Sequence, residues 1–409
     1  MKKSRKRAEN RGSMQNILVI GFDTRNIVCS AHRAGYNVCS IDAFRDLDLQ
    51  ECAFASAFLE CRTAKELHEL DVSKIKAQIV AFGREFDAIV PGSGLEMLDY
   101  NSFSCTVLAS CQDNIRKASN KKYLSKRLEA LGISHPNCYS PDEMDAIGYP
   151  VMVKPVFGGG GILNRIARSK HELLSILEDL SGMDRCRLGP EFSEETVVIQ
   201  DFLEGIPSSV SLLSTRNEAL SVAVNEQLIG IPWLSRLPFA YCGNITPFRT
   251  GQPEEMEALA EELVIEFKLL GSNGVDFLVT ETGPVVLEIN PRFQGSLDTV
   301  EKAMNINLFE AHAGCFRGEL PPKPKANCFA ARGIIYSDRE LFIDRKLMDV
   351  ILSEKGADIP PQGTNIEPDW PLTSLFSCTS TREEAILSLE RGAKRIETFI
   401  ECKTSSGKV

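Results

Sequence analysis

The sequence predicts an α/β protein of more than one domain, and three observations predict it. Residues 16 to about 115 alternate strand-like and helix-like segments, the pattern of a parallel sheet with crossover helices. Residues 150–169 read as a strand, a four-glycine loop and a second strand. Residues 274–290, "GVDFLVTETGPVVLEIN", read as two apolar strands that carry acids, which packing alone does not call for.

Each element follows in order. "NILVIGF" at 16–22 is a first strand, "TRNIVCSAHRAG" a helix ending at Gly35, and "YNVCSIDAF" a second strand. A helix over 73–85 precedes "FDAIVPGSG", a strand running into a Gly/Pro turn. The first turn, "GFDTRN", lacks the full G-x-G-x-x-G fingerprint, which argues against a dinucleotide oxidoreductase. The turns after Ile20 and Val90 still lie at carboxyl ends of strands, where ligands bind in such sheets. "SNKKYLSKRLEALGISHP" is a helix, a glycine stop and an extended segment. "SPDEMDAIGYP" is a short helix with Ser140 as N-cap, Pro141 at its first position and Glu143 closing a capping box. Ser169 caps the helix "KHELLSILEDL". "TVVIQDFLEG" and "SSVSLLSTRN" are strand-like, and "EEMEALAEELVIEFKLLG" is an amphipathic helix. Hairpin strands follow at 275–280 and 284–289. From about residue 320 the pattern becomes mixed, with "ARGIIYSD", the Pro/Gly-rich "DIPPQGTNIEPDWP" and a helix over 381–392.

The totals bound the function. The 409 residues are 43% hydrophobic and 25% charged, ordinary for a globular chain with real cores. A net charge of −10 argues against a nucleic-acid partner. No apolar run reaches the length of a membrane span. Residues 1–13 are basic and read as a disordered tail. The 13 cysteines show no CxxC and no pairing rhythm, so they read as reduced, mostly buried thiols of a cytoplasmic protein. None of the five histidines falls in a motif.

Chemistry concentrates in four places. Lys154 interrupts an apolar strand and needs an anionic partner or an exit to solvent. Gly158, Gly159, Gly160 and Gly161 follow it, and their N–H groups can approach a phosphate closely; a flexible hairpin tip is the competing reading. After "VVIQ", the segment Gln200, Asp201, Phe202 and Leu203 leaves a strand and can offer backbone groups to an adenine edge. Asp276, Glu288 and Asn290 are hard oxygen ligands suited to Mg2+. Arg292, just past them, is placed to stabilise charge on a transferring group. The stretch 225–249 reads as pocket lining, with Arg236, Tyr241, Asn244 and Arg249 as candidate substrate contacts and Cys242 as a packed thiol.

In this order, from about 119 to 318, the segments resemble the ATP-grasp superfamily. "NKKYLSKRLEALGISHP" resembles its linker helix, "YPVMVKPVFGGGGI" its lysine strand and glycine lid, "VVIQDFLEG" its adenine hinge, and "GVDFLVTETGPVVLEINPRFQGS" its metal strands. Residues 14–50 resemble a branch of predicted ATP-dependent carboligases, with the tyramine–glutamate ligases as more distant relatives. The resemblance implies an ATP-grasp fold at 119–319, preceded by a Rossmann-like parallel-sheet domain at 14–118. A small α+β region at 320–409 would follow. It implies ATP and Mg2+, or Mn2+, as cofactors, and small-molecule carboxylate and amine substrates joined through an acyl phosphate. It allows a homodimer. Carried over by position, Lys121 and Lys154 would contact the phosphates and Gly158 to Gly161 would close over them. Gln200 to Leu203 would hold the adenine, Glu204 would stand in at the ribose, and Arg292 would face the acyl phosphate. The chain departs from the family pattern at Asn120, at Gln200 and at Pro207, where members carry acids. A bicarbonate-using carboxylase and a non-catalytic nucleotide sensor are the alternatives.

Overall fold

The computed structural model describes residues 14–60, 72–95, 98–100, 103–140, 143, 147–187, 197–249 and 252–405. The N-terminal domain is a five-stranded sheet of β1 (Asn16–Gly21), β2 (Asn37–Asp42), β3 (Ala55–Phe58), β4 (Ala88–Pro91) and β5 (Thr106–Val107). Its order is β3-β2-β1-β4-β5, with every pair parallel. The central strands are continuous apolar runs because helices cover both faces. Helix α1 (Arg25–Ala34) ends at Gly35, whose φ of 88° lets its N–H reach the last carbonyls. Helices α2 (Leu47–Cys52) and α3 (Val72–Ala81) complete the crossovers.

Two short helices follow, α4 (Gln112–Ser119) and α5 (Lys121–Leu131). Asn120 separates them and caps the second, its side chain accepting from the Tyr123 N–H at 2.9 Å. Next comes a four-stranded antiparallel sheet of β6 (Cys138–Tyr139), β7 (Val151–Pro155), β8 (Arg165–Ala167) and β9 (Val197–Asp201), in the order β6-β9-β7-β8. Helix α6 (Lys170–Arg187) covers it, packing Leu173 and Leu180 on Val151, Val153 and Ile199. Most of the short helix expected after Ser140 lies outside the described residues; Glu143 does reach back to the Ser140 N–H at 2.7 Å.

The third sheet has seven antiparallel strands. It contains β10 (Ile206–Ser214), β11 (Ala219–Ile229), β12 (Tyr241–Thr246), β13 (Gly271–Thr280), β14 (Gly283–Asn290) and β15 (Phe329–Tyr336). After the small ribbon of β16 (Leu341–Phe342) and β17 (Asn365–Ile366), β18 (Pro371–Thr379) completes it. The order is β14-β13-β10-β11-β12-β15-β18, so strands from after residue 320 extend the sheet that carries the acidic hairpin. Helix α7 (Pro253–Glu266) buries Met256, Leu263 and Val264 with Phe277 and Val286 of the sheet and Leu124 and Leu128 of α5. Helices α8 (Leu297–Met304) and α9 (Leu308–Cys315) pack with α1 and β1 in one apolar cluster, which joins the N-terminal domain to the sheet. Helices α10 (Arg345–Ser353) and α11 (Arg382–Ser405) cover the other end of the sheet.

Two expectations are corrected. The last helix runs to Ser405 rather than 392, because Gly392 is a close-packing residue and not a stop: a Cβ there would lie 2.9 Å from Leu375. The cysteines are not all free. Cys29 of α1 and Cys52 of α2 are disulfide-bonded, their Cα atoms 5.2 Å apart. Among the described free thiols only Cys39, Cys242 and Cys315 are buried, so "mostly buried" does not hold either. Among the described residues no helix is long and apolar enough to cross a membrane.

Buried polar groups fix how the N-terminal domain sits. Arg25 pairs with Asp358 at 2.7 Å and Asp298 at 2.9 Å, and Arg332 of β15 pairs with the other Asp358 oxygen at 2.5 Å. His312 accepts from the Ser272 N–H at 2.8 Å through Nδ1 and donates to the Leu108 carbonyl at 3.1 Å through Nε2. Burial pushes this imidazole down from 6.5 to about 4, so it stays neutral in the fold. An unfolded chain takes up that proton first as pH falls, so the histidine's contribution is intact above pH 6.5 and is lost on the way down to about 4. A His312→Leu variant leaves Ser272 without its acceptor and is expected to lose about 1–3 kcal/mol at pH 7.5. Its stability deficit, read from urea melts, should shrink between pH 6.5 and 4.

Candidate active site

The acidic hairpin is formed by β13 and β14. Asp276 stands directly opposite Glu288, and Gly274 opposite Asn290, with a register shift just after Asp276. Period-two alternation puts Glu288 and Asn290 on one face, and the register brings Asp276 to them. Asn290 Nδ2 donates to Asp276 Oδ2 at 3.0 Å, and Gln227 Nε2, from β11, donates to Asp276 Oδ1 at 3.0 Å. Gln227 was not singled out in the sequence, although a polar residue facing inward from an apolar strand is the same signal that exposed Asp276. Arg292 donates from Nη2 to Asn290 Oδ1 at 3.2 Å and from Nη1 to the Phe293 carbonyl at 3.1 Å.

Two lysines answer the acids. Lys121, at the start of α5, is buried; its Nζ lies 3.2 Å from Glu288 Oε2 and 2.8 Å from the Gly158 carbonyl. Burial raises the Glu288 carboxyl, but Lys121 and Lys154 together outweigh it and hold the group below its ordinary value. Asp276 goes the other way. Burial and the Glu288 charge push it well above the carboxylate range, and Arg292 only partly compensates. Lys154 is pushed down by burial, against the pull of Glu288. Burial and mutual repulsion thus keep one of the two carboxyls from ionising freely, and a divalent cation between them would relieve both effects. Among the described residues no cluster of three or more His, Cys, Asp and Glu is gathered to hold a metal. Two carboxylates completed by a ligand's own oxygens is the arrangement that suits Mg2+.

The glycine loop lies over this hairpin. A Cβ on Gly159 would sit 3.5 Å from Arg292 Nη2. The Gly160 carbonyl accepts from the Tyr241 N–H at 3.0 Å. Gly161, at φ 72°, leaves room for the Phe239 carbonyl, which a Cβ would meet at 1.9 Å.

Behind the loop, Gln200 pairs in register with Met152 of β7 and Cys138 of β6. It is buried, and its Oε1 has no hydrogen-bond partner among the described residues. The Asp201 carboxylate is engaged by Asn137 Nδ2 at 2.7 Å and Tyr139 Oη at 2.6 Å, and the N–H groups of Asp201 and Phe202 donate to the Asn137 and Pro150 carbonyls at 3.1 and 3.3 Å. The Tyr139 hydroxyl is pushed up to about 12, first by that bond. Phe202 and Leu203 are half-buried and Glu204 is exposed.

The four candidate substrate contacts separate. Arg236 is tied to Asp369 at 3.2 Å, and the Arg249 guanidinium lies 5.0 Å from the Phe329 ring centre. Asn244 is fully buried, donating to Thr246 at 3.0 Å and Thr299 at 2.6 Å. It accepts from the Tyr241 hydroxyl at 3.2 Å, so it bears on the cleft through Tyr241. Burial raises that hydroxyl well above its ordinary range. Residues 225–249 are two sheet strands and the turn between them, not a free loop.

The loop geometry is testable. Gly161→Ala is expected to push the loop off Phe239 and free the Tyr241 N–H, raising its hydrogen-exchange rate by about tenfold or more. Gly148→Ala, with no atom within 4 Å of the added Cβ and φ outside the left-handed region, should leave that rate unchanged.

A family model described as an ATP-grasp domain matches residues 118–296. Over 382 residues the chain is 24% identical to an uncharacterized protein of Methanocaldococcus jannaschii, covering 90% of this chain and 89% of that one. The biotin carboxylase domain dimer of Hydrogenobacter thermophilus 2-oxoglutarate carboxylase, solved with MgADP, ADP and bicarbonate, superposes with a TM-score of 0.67. It is 16% identical and covers 92% of this chain and 88% of that one. An L-amino acid ligase from Bacillus licheniformis gives a TM-score of 0.64 at 14% identity, covering 93% and 97%. Such identities speak for the fold alone. The matched segment contains both lysines, the glycine loop, the hairpin acids and Arg292.

Proposed function

We propose that this protein is an ATP- and Mg2+-dependent carboxylate–amine ligase acting on small molecules and releasing ADP and phosphate. The observation that carries the reading is the in-register pair of Asp276 and Glu288, with Lys121, Lys154 and Arg292 around it and a glycine loop above it. That is a site for a polyphosphate, with no side-chain nucleophile at its centre.

In this reading Gln200 to Leu203 take the adenine, with the unpartnered Gln200 Oε1 as an acceptor, and Glu204 stands at the ribose. Lys154 and Lys121 bind phosphate oxygens, and Lys121 holds Glu288 in charge balance until they arrive. Asp276, Glu288 and Asn290 hold Mg2+, which when bound screens the phosphate charge and draws the terminal phosphorus toward attack. Gly158 to Gly161 cover the phosphates and exclude water. A substrate carboxylate attacks the terminal phosphorus, the bond to ADP breaks, and an acyl phosphate forms. Arg292 steadies the charge on its oxygens. The amine nitrogen then attacks the acyl carbon and phosphate leaves.

The test is a coupled ADP-release screen of acids and amines with Mg-ATP. Lys154→Ala and Glu288→Gln are each expected to lower substrate-dependent release by about 100-fold or more, with circular dichroism unchanged. Full activity in either variant rejects the assignment. Release stimulated by bicarbonate without an amine would move the reading to a carboxylase. ATP binding without turnover on any pair would move it to a sensor.

A further inference from the structure

The four-stranded sheet has two faces, and α6 covers one of them. Val151 and Val153 of β7 and Val197 and Ile199 of β9 pack on that helix. Their neighbours along each strand point the other way. Register sets Met152 beside Gln200 and Lys154 beside Val198, and it sets Cys138 of β6 opposite Gln200 on its other flank. Met152, Lys154, Val198, Gln200 and Cys138 therefore share the face that carries the phosphate-site lysine. The chain leaving β9 packs on the acidic hairpin, where a Cβ on Gly205 would meet Leu278 at 2.9 Å. Leu278 lies two residues past Asp276 on β13, whose pairing with β10 is regular there, so both side chains face the same way.

One end of this face is left unsatisfied. Gln200 is 3% exposed, and its Oε1 is buried with no hydrogen-bond partner among the described residues. Its Nε2 donates to Cys138 Sγ at 3.2 Å, and sulfur is a weak acceptor. An amide oxygen buried without a donor is destabilising, and a ligand that brings a donor explains it. In the ligase reading that donor is the amino group of adenine. Cys138 is a free, partly exposed thiol. It touches the same amide, so a base seated on Oε1 lies against its sulfur, and a group added to the sulfur takes the place of the base.

We propose that Cys138 is a thiol-modification site that closes the nucleotide site, and that small disulfides are the reagent class it takes. The Cys138 thiol loses its proton to solvent, and the thiolate attacks one sulfur of the disulfide. That S–S bond breaks, a mixed disulfide forms on Cys138, and the departing thiolate takes up a proton. A reducing thiol reverses the exchange. The inference rests on the ligase reading for the nucleotide, since it needs the base at Gln200.

The probe is 2-hydroxyethyl disulfide, small and uncharged, applied to the full chain with its free thiols reduced and mapped by peptide mass. Cys138 is expected to gain the hydroxyethylthio group, and saturating MgADP to slow that reaction by about tenfold or more. Cys111, Cys378 and Cys402 are exposed and lie on other elements, so their rates should not change with MgADP. The modified chain should lose most of the rise in melting temperature that MgADP gives the reduced chain, and dithiothreitol should restore it. In Cys138→Ser the reagent should leave that rise in place. An unreactive Cys138, a rate indifferent to bound MgADP, or a modified chain that still answers MgADP in full would overturn the proposal. The protection experiment on the parent chain decides it even where Cys138→Ser fails to fold. No melting response to MgADP in the reduced chain would overturn the nucleotide site and this inference together. Failure of the ligase reading alone would show differently: MgADP protects Cys138, yet no acid–amine pair releases ADP.

Discussion

Two carboxylates placed side by side in a protein interior repel each other, and much of this fold is arranged around tolerating that. Asp276 and Glu288 are forced together by strand register, which one residue of slippage would undo. Every neighbour offers positive charge or a donor. Lys121 comes from the first turn of α5, Gln227 from β11, and Asn290 and Arg292 from the end of the hairpin. The compensation is uneven. Glu288 receives the lysines and stays ionised, while Asp276 receives amides and is driven toward its protonated form. A pair split in this way keeps its negative charge on Glu288.

The sequence exposed this hairpin because polar residues in apolar strands have few structural reasons to be there. Lys154 and the four glycines were legible on the same grounds, and the apolar runs of the first domain announced a parallel sheet. Other parts were not legible because they depend on long-range placement. Arg25 and Asp358 are 333 residues apart in sequence, and nothing local marks them as partners. The helix expected over 381–392 continues past Gly392, whose missing side chain is filled by a tight contact with Leu375 that nothing local announces. Cys29 and Cys52 come together only through the packing of α1 on α2. Arg236 and Arg249 stood out as cations that could receive a carboxylate; their neighbours Asp369 and Phe329 come from distant parts of the chain that the sequence does not mark.

Charge and apolar contact divide the work of joining the N-terminal domain to the sheet. Packing of α1 on α8 and α9 supplies non-directional attraction. The Arg25–Asp358–Arg332 chain supplies direction, because two guanidinium groups grip opposite oxygens of one carboxylate. That carboxylate is held far below its ordinary range: burial works against it, and the two arginines prevail. The position of α1 relative to β15 is therefore set by directional bonds.

The order of strands in the seven-stranded sheet also governs how the molecule is born. β12 is an interior strand of the sheet, yet its neighbour β15 begins only at Phe329 and β18 ends at Thr379. During translation the hairpin acids emerge from the ribosome long before the strands that close the far side of their sheet. Until then β12 offers an unpaired edge, and Asp358 has not yet arrived to hold Arg25. Nascent chains of this protein thus pass through a stage with an open sheet margin, the kind of surface on which chaperones act.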